Sequence, residues 1–367
     1  MQLHLLARFA FAPLLLLSSA SVSPQDINPS ISQVMVQTVA AEADTGQFMG
    51  AVLVAQGDEL VLDQAWGSAD LEWGIANTTD TKFRIGSVTK QFTAVSILLL
   101  QEQGKLDLDA PVTAYLENAP EAWGAISVRN LLRHTSGIAD VTTLDEFAKI
   151  SRSPVTQDQI FALFTPLPLQ FEPGSQWRYS NSNYLALSRI VERVSETSLA
   201  VFYRENIFEP LGMEDTRLDV PALILPRRAE GYTPAGEGVI INAPYSDMGI
   251  PSGAGAMIST THDLLKWQRG LFGGAILSSE SLAEYTIPSD YDAFPGARYA
   301  HGVLVFEQDG SRSLAHGGGI EGFNAWLAYD PDREVTVVVL ANINGGAASR
   351  LGIRLMELAQ SKDRQSP

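Results

Sequence analysis

An α+β fold is predicted, with one antiparallel sheet assembled from both ends of the chain, flanked by helices, and a mostly helical second lobe from its middle. Three observations predict it. Strand-like runs sit at the two ends of the 367 residues. The middle, about residues 105–290, carries short helical patterns interrupted by Pro and Gly. And 45% of the residues are hydrophobic, enough apolar material for a sizeable core and too much for a disordered chain.

The elements follow in order. Residues 28–44 place apolar side chains at helical spacing and stop before Gly46. Residues 49–56 and 59–66 read as strands joined at Gly57-Asp58, a hairpin signal. A helix opens at Ser87 and is stopped by Gly104; its centre, Ala94 to Leu100, is apolar on almost every side, the mark of a buried helix. Ser127 to Gly137 reads as a short capped helix ending at the glycine. Residues 184–203 read as a longer amphipathic helix, and Thr260 to Gly270 as another. Strand patterns return at 300–307, 311–316, 322–330 and 334–341, the last two joined by the turn Asp330-Pro-Asp-Arg, and 347–360 closes with a helix. This order is expected to make residues 21–367 a single domain. Its sheet lobe covers about 28–85 and 295–361, its helical lobe about 86–294.

The first twenty residues stand apart. Met1 to Arg8 is followed by the apolar run Phe9 to Leu17, then by Ser18-Ser19-Ala20 with small residues at the −3 and −1 positions of a cleavage site. That is the layout of a signal peptide, so residues 1–20 are expected to be removed and the protein to be exported, periplasmic or secreted. The run is far short of the ~20 residues of a membrane span. Loss of Arg8 takes the net charge from −17 to −18. So acidic a surface repels phosphate backbones and argues against nucleic-acid binding. With no cysteine, disulfides, zinc–thiolate sites, iron–sulfur clusters and thiol nucleophiles are excluded.

The α/β-hydrolase elbow Gly-x-Ser-x-Gly and the phosphate-binding Gly-x-x-x-x-Gly-Lys loop are both missing. The five histidines show no metal-ligand spacing. Gly317 to Gly322 matches Gly-x-Gly-x-x-Gly, but a strand follows it where a dinucleotide site needs a helix. Three segments remain. Ser87-Val-Thr-Lys90 puts a hydroxyl and an amine one turn apart at a helix start, where a desolvated lysine can take the serine proton; the plainer reading is a capping serine and a solvated lysine. Tyr179-Ser-Asn181, the sole Tyr-x-Asn in the chain, offers a phenol for proton relay and an amide for a substrate carbonyl, or simply a polar helix entry. His316-Gly-Gly-Gly319 offers N–H donors along a strand, or merely a glycine turn.

Taken in order, these segments match the three-motif layout of the serine β-lactamases and penicillin-binding proteins, and the chain resembles that superfamily, its class C-like branch in particular. The segments Phe83-Arg-Ile-Gly-Ser-Val-Thr-Lys90, Leu131-Leu-Arg-His-Thr-Ser-Gly137, Phe171-Glu-Pro-Gly174, Pro210-Leu-Gly-Met213 and His316-Gly-Gly318 carry the likeness over about residues 30–360. The resemblance implies a β-lactamase/transpeptidase-like fold with its site at the seam of the two lobes. It implies Ser87 as acylated nucleophile, Lys90 and Tyr179 sharing the proton work, and Asn181 and His316 contacting substrate. The backbone N–H groups of Ser87 and Gly319, beside Gly318, would form the oxyanion hole. No metal or organic cofactor is implied, and the partner is a small ester, peptide or β-lactam-like substrate. His134 and Gly137 would be structural.

The third motif departs from Lys-Thr-Gly. His316 replaces the fixed charge with a group that titrates near neutrality, and Gly317 lacks the threonine hydroxyl. Both changes weaken capture of a substrate carboxylate. The reading therefore favours an esterase or a peptidase acting on D-residues or short peptides. A class C-like β-lactamase or D-alanyl-D-alanine carboxypeptidase is one alternative, and a catalytically idle cell-wall-peptide binder another.

Overall fold

The computed structural model describes residues 29–236, 238–308 and 311–361; the leader expected over residues 1–20 lies outside them. Numbering only the strands of the main sheet, β1 (Gly50–Gln56) and β2 (Glu59–Trp66) come from the N-terminal end. The other six come from the C-terminal end: β3 (Asp292–Phe294), β4 (Ala297–Tyr299), β5 (Leu304–Gln308), β6 (Ser311–Ile320), β7 (Phe323–Asp330) and β8 (Val335–Ala341). Their order is β3-β4-β5-β6-β7-β8-β1-β2, antiparallel throughout. The two chain ends meet at β1 and β8, where Gly50 pairs Ala341 and Gln56 pairs Val335. The sheet expected from both ends is thus one continuous ladder.

Central strands of this sheet are covered on both faces, which is why they read as unbroken apolar runs rather than alternating ones. In β8, Val337 and Val339 pack outward with Met35 of α1 (Pro29–Asp44) and Leu351 and Leu355 of the C-terminal helix (Ala347–Gln360). Val338 and Leu340 turn inward to the main core. Each such side chain contributes about 1.5–3 kcal/mol by leaving water. The inward core joins the sheet to α2 (Thr89–Glu102), whose Phe92 stacks on Trp267 at 4.1 Å.

The helical middle is less regular than its pattern suggested. It contains a three-stranded sheet of Phe83–Arg84, Met257–Ser259 and Arg217–Leu218, and a hairpin of Tyr232–Pro234 with Ile240–Asn242. The single helix expected over 184–203 is two. The first, α3 (Asn181–Ser195), ends where Glu196 turns left-handed at φ 59°; a second, Leu199–Tyr203, starts at the capping hydroxyl of Ser198. The polar run Ser195 to Ser198 was the stop-and-cap signal that the apolar periodicity overran. The helix opened by Ser127 is capped as expected, with Asn130 completing a capping box, but it stops at Leu132, five residues before Gly137.

Candidate active site

Lys90 lies in the first turn of α2, preceded by a tight turn over Gly86–Val88 that contains Ser87. No side chain caps this N-terminus, so Ser87 is not spent as a capping residue. Its Oγ lies 3.0 Å from Lys90 Nζ and 2.9 Å from the Tyr179 hydroxyl. Glycine makes the turn possible. Gly86 has φ +49°, and a Cβ there would come within 2.7 Å of the Gly319 nitrogen. At Gly318 a Cβ would lie 1.9 Å from the Ile85 carbonyl oxygen. Strand β6 therefore approaches the turn that holds Ser87 backbone to backbone, which brings the chain at Gly319 against the chain at Ser87.

The segments flanking Tyr179 explain two other glycine-bearing motifs. Arg178 N donates to the His134 carbonyl (2.9 Å), Gly174 N to Thr135 (2.8 Å) and Gln170 N to Gly137 (2.8 Å). Gly137, at φ +81°, sits where a Cβ would meet the Phe171 carbonyl oxygen at 2.2 Å. The two loops are thus laced together, and the second delivers Tyr179 to Ser87. His134 supports the ring from beneath, with centroids 4.4 Å apart. Its Nδ1 accepts from Ser180 N and Asn183 Nδ2, and burial, with the Lys90 charge second, holds its pKa well below the usual histidine value.

Asn181 completes the cluster as the first residue of α3. Its Oδ1 accepts from Lys90 Nζ at 2.9 Å, and the Ala254 carbonyl accepts from the same Nζ at 2.6 Å. Lys90 is fully buried, and desolvation lowers its pKa to about 7, opposed by the Asp140 carboxylate. Tyr179 moves the other way: burial raises its pKa above the usual phenol value although Ser87 partly offsets this, so it is a phenol at neutral pH. The structure brings Ser87, Lys90, Tyr179, Asn181, Gly318 and Gly319 together, along with His316.

His316 is arranged differently from the titrating cation expected there. Its Nδ1 lies 2.6 Å from the Gly317 carbonyl, which can only accept, so Nδ1 carries the hydrogen. Its Nε2 is then the acceptor for the Tyr299 hydroxyl at 2.9 Å. Burial and the nearby Lys90 charge lower its pKa to about 3. Both ring nitrogens are engaged inside the protein, and the ring is neutral at physiological pH.

Two contributors were not legible beforehand. The Ala254 carbonyl leaves no side-chain signature. Asp140, which bonds the Asn181 amide, follows the His134–Gly137 motif by three residues in a loop without distinctive patterning. Among the described residues no group of three or more His, Cys, Asp or Glu could hold a metal ion, and no helix is long and apolar enough to cross a membrane.

The chain is 29% identical over 315 residues to a penicillin-binding protein of Bacillus subtilis (strain 168), covering 81% of this chain and 68% of that one. It is 28% identical over 312 residues to a D-aminopeptidase of Brucella anthropi, covering 84% of this chain but spanning only 59% of that protein's length. The D-amino acid amidase of Ochrobactrum anthropi SV3, solved with L-phenylalanine amide, superposes with a TM-score of 0.79 at 25% identity, over 90% of this chain and 99% of that one. The Beta-lactamase family model matches residues 35–360, from the outer helix of one chain end to the outer helix of the other. A match that includes both halves of the sheet as well as the serine turn is a match of the whole fold, and the chain belongs to the β-lactamase family of serine hydrolases.

Proposed function

We propose that the protein hydrolyses ester and amide bonds through an acyl-enzyme on Ser87, with Lys90 as general base. The observation that carries this is the three-point coordination of Lys90. A neutral amine has two N–H bonds and one lone pair. The Asn181 Oδ1 and the Ala254 carbonyl can only accept, so they take the two N–H bonds and turn the lone pair toward Ser87 Oγ. With a pKa of about 7, that amine is well populated at neutral pH. Attack then moves the Ser87 proton to Nζ while Oγ bonds the acyl carbon. The N–H groups of Ser87 and Gly319 stabilise the oxyanion. As the scissile bond breaks, the Tyr179 hydroxyl donates its proton to the departing amine or alcohol, and the Lys90 ammonium returns the proton it took from Ser87 to the Tyr179 oxygen, leaving both groups as they began. Water deacylates the enzyme by the same route in reverse.

For the substrate we propose D-aminoacyl amides, esters or short peptides. A polar cavity of about 550 Å³, whose lining includes Arg84 and Glu321 but none of Ser87, Lys90, Tyr179, Asn181 or His316, is the place we assign to the acyl side of the substrate, in keeping with the likeness to a D-aminopeptidase and a D-amino acid amidase. Asp70, Glu72, Glu230 and Glu321 line it with no basic partner within 4 Å among the described residues, whereas Arg84 and Arg228 are both tied to Asp219. This lining favours an acyl group bearing an amine. The neutral His316 disfavours the alternatives that depend on a substrate carboxylate, penicillins and terminal D-alanyl-D-alanine. The leader at residues 1–20 supports export; a mature protein beginning at Ser21 is the expected product, and retention of Met1 would contradict it.

The test compares wild type with Ser87→Ala on D-alanine p-nitroanilide, its L-isomer, its N-acetyl derivative, a p-nitrophenyl ester and benzylpenicillin, with fluorophosphonate labelling alongside. Labelling and turnover confined to wild type, with the free D-amine preferred, are the expected result. Absence of labelling and turnover removes the hydrolase reading. Preference for the acetylated or penicillin substrate removes the amine-binding one.

A further inference from the structure

Asp140 lies in the loop between the His134–Gly137 segment and the turn Val141–Thr143. Its side chain accepts from Thr142 N (3.1 Å), Asn181 N (3.2 Å) and Asn181 Nδ2 (3.2 Å to Oδ2, 3.4 Å to Oδ1). No Lys, Arg or His pairs with it within 4 Å among the described residues. The neighbouring backbone is stitched to the same place: Val141 N donates to Ser182 Oγ, and Ser182 Oγ to the Ala139 carbonyl.

The two ends of the Asn181 amide are chemically opposite, and only one orientation serves Lys90. If the amide turned over, its NH₂ group would face Nζ, donor against donor, and the lysine would lose one of the two acceptors that aim its lone pair. A carboxylate can only accept, so Asp140 takes the NH₂ end and leaves Oδ1 for Lys90. We propose that Asp140 is a positioning residue: its carboxylate fixes the orientation of the Asn181 amide and supplies the negative charge that tunes Lys90. The groups facing Lys90 are Ser87, Tyr179 and Tyr184 (ring centroids 4.9 and 5.5 Å from Nζ), the Asn181 amide, the Ala254 carbonyl, and the neutral rings of His134 and His316. None of these carries charge at neutral pH, so Asp140, hydrogen-bonded to the NH₂ end of the Asn181 amide, sets the sign of the local field. The inference rests on Lys90 being the base.

Two variants separate charge from clamping. Asp140→Asn keeps an acceptor oxygen for Asn181 and removes the charge; Asp140→Ala removes both. The readout is kcat/KM against pH on a p-nitrophenyl ester, with Tm recorded for each protein. Removing an anion favours the neutral amine, so in Asp140→Asn the acid limb should move to lower pH by roughly 0.5–1 unit. In Asp140→Ala the plateau should also fall, by about 10–100-fold. Placed on Asn181→Ala, the same substitution should cost less than about threefold, because both act through one amide. An unmoved limb in Asp140→Asn overturns the proposal, as does full multiplicativity with Asn181→Ala or a lower Tm with unchanged kcat/KM. If Asp140→Ala fails to fold, the Asp140→Asn limb decides alone. A wild-type profile with no limb near pH 7 would instead refute the base assignment, a separately visible outcome.

Discussion

Lys90 and His316 are both buried basic residues near the Tyr179 ring, and the fold treats them oppositely. Lys90 faces two acceptors, the Asn181 and Ala254 oxygens, and the Ser87 hydroxyl, with the Asp140 carboxylate behind Asn181 opposing the desolvation that burial imposes. His316 sits between a hydroxyl and a carbonyl with Lys90 nearby, and its charged form is driven out. Burial lowers both pKa values, but from different starting points: the lysine arrives near neutrality, the histidine falls far beneath it. Whether a buried base is a proton carrier or a scaffold therefore depends on its intrinsic pKa and the number of acceptors around it, more than on its place in a motif.

The strongest way to break this contrast is at Lys90. Lys90→Met should lower kcat/KM by about 10²–10⁴-fold while leaving a folded protein, measured by ester hydrolysis and circular dichroism. A loss below about tenfold would transfer the base role to Tyr179. Next come the glycines of β6. Gly318→Ala drives a methyl into the Ile85 carbonyl and must spread the oxyanion hole, for an expected loss of about 10²-fold. Gly317→Ala meets nothing nearer than 3.4 Å, from Ser349 and Trp326, and should stay within about threefold. Equal losses at the two positions would mean that the close approach of β6 does not hold the site. A smaller effect is expected from His316→Gln, a loss of less than about tenfold with the acid limb near pH 7 retained. If that limb disappeared, His316 rather than Lys90 would be the titrating group.

The smallest effect is thermodynamic. His134, His301 and His316 all have pKa values lowered by burial, to about 3 for the latter two. Below the unfolded value of ~6.5 the unfolded chain takes up protons that the native chain refuses, so stability falls with pH, by about 1.4 kcal/mol per unit for each histidine, until the folded pKa is reached. Denaturant midpoints should drop between pH 6.5 and 4, and less steeply in His301→Gln. A flat profile over that window would show that these rings are protonated in the native state.

Much of the site was legible because its chemistry is local. Ser87 and Lys90 lie one helical turn apart, so their meeting needs only that the helix form. The sheet was legible too, since β7 and β8 are long apolar runs joined by a strong turn. Asp140 was not, because a lone aspartate in a loop has no periodicity. Its significance comes from a partner 41 residues away. The break at Glu196 was missed because periodicity in Val201 and Phe202 resumed in phase.

By itself the sequence determined the class of nucleophile, the family, and the order of strands and helices, all properties of neighbouring residues or of a fixed motif order. The tertiary structure decided the protonation states. These depend on how many acceptors and charges converge on an atom once water is gone, and that count is set by segments far apart in the chain: Ala254 and Asn181 on Lys90, Tyr299 on His316, Asp140 behind them. The expected cation at 316 became a neutral strut for that reason. The same burial brought Lys90 to about 7, where a lysine can act as a base.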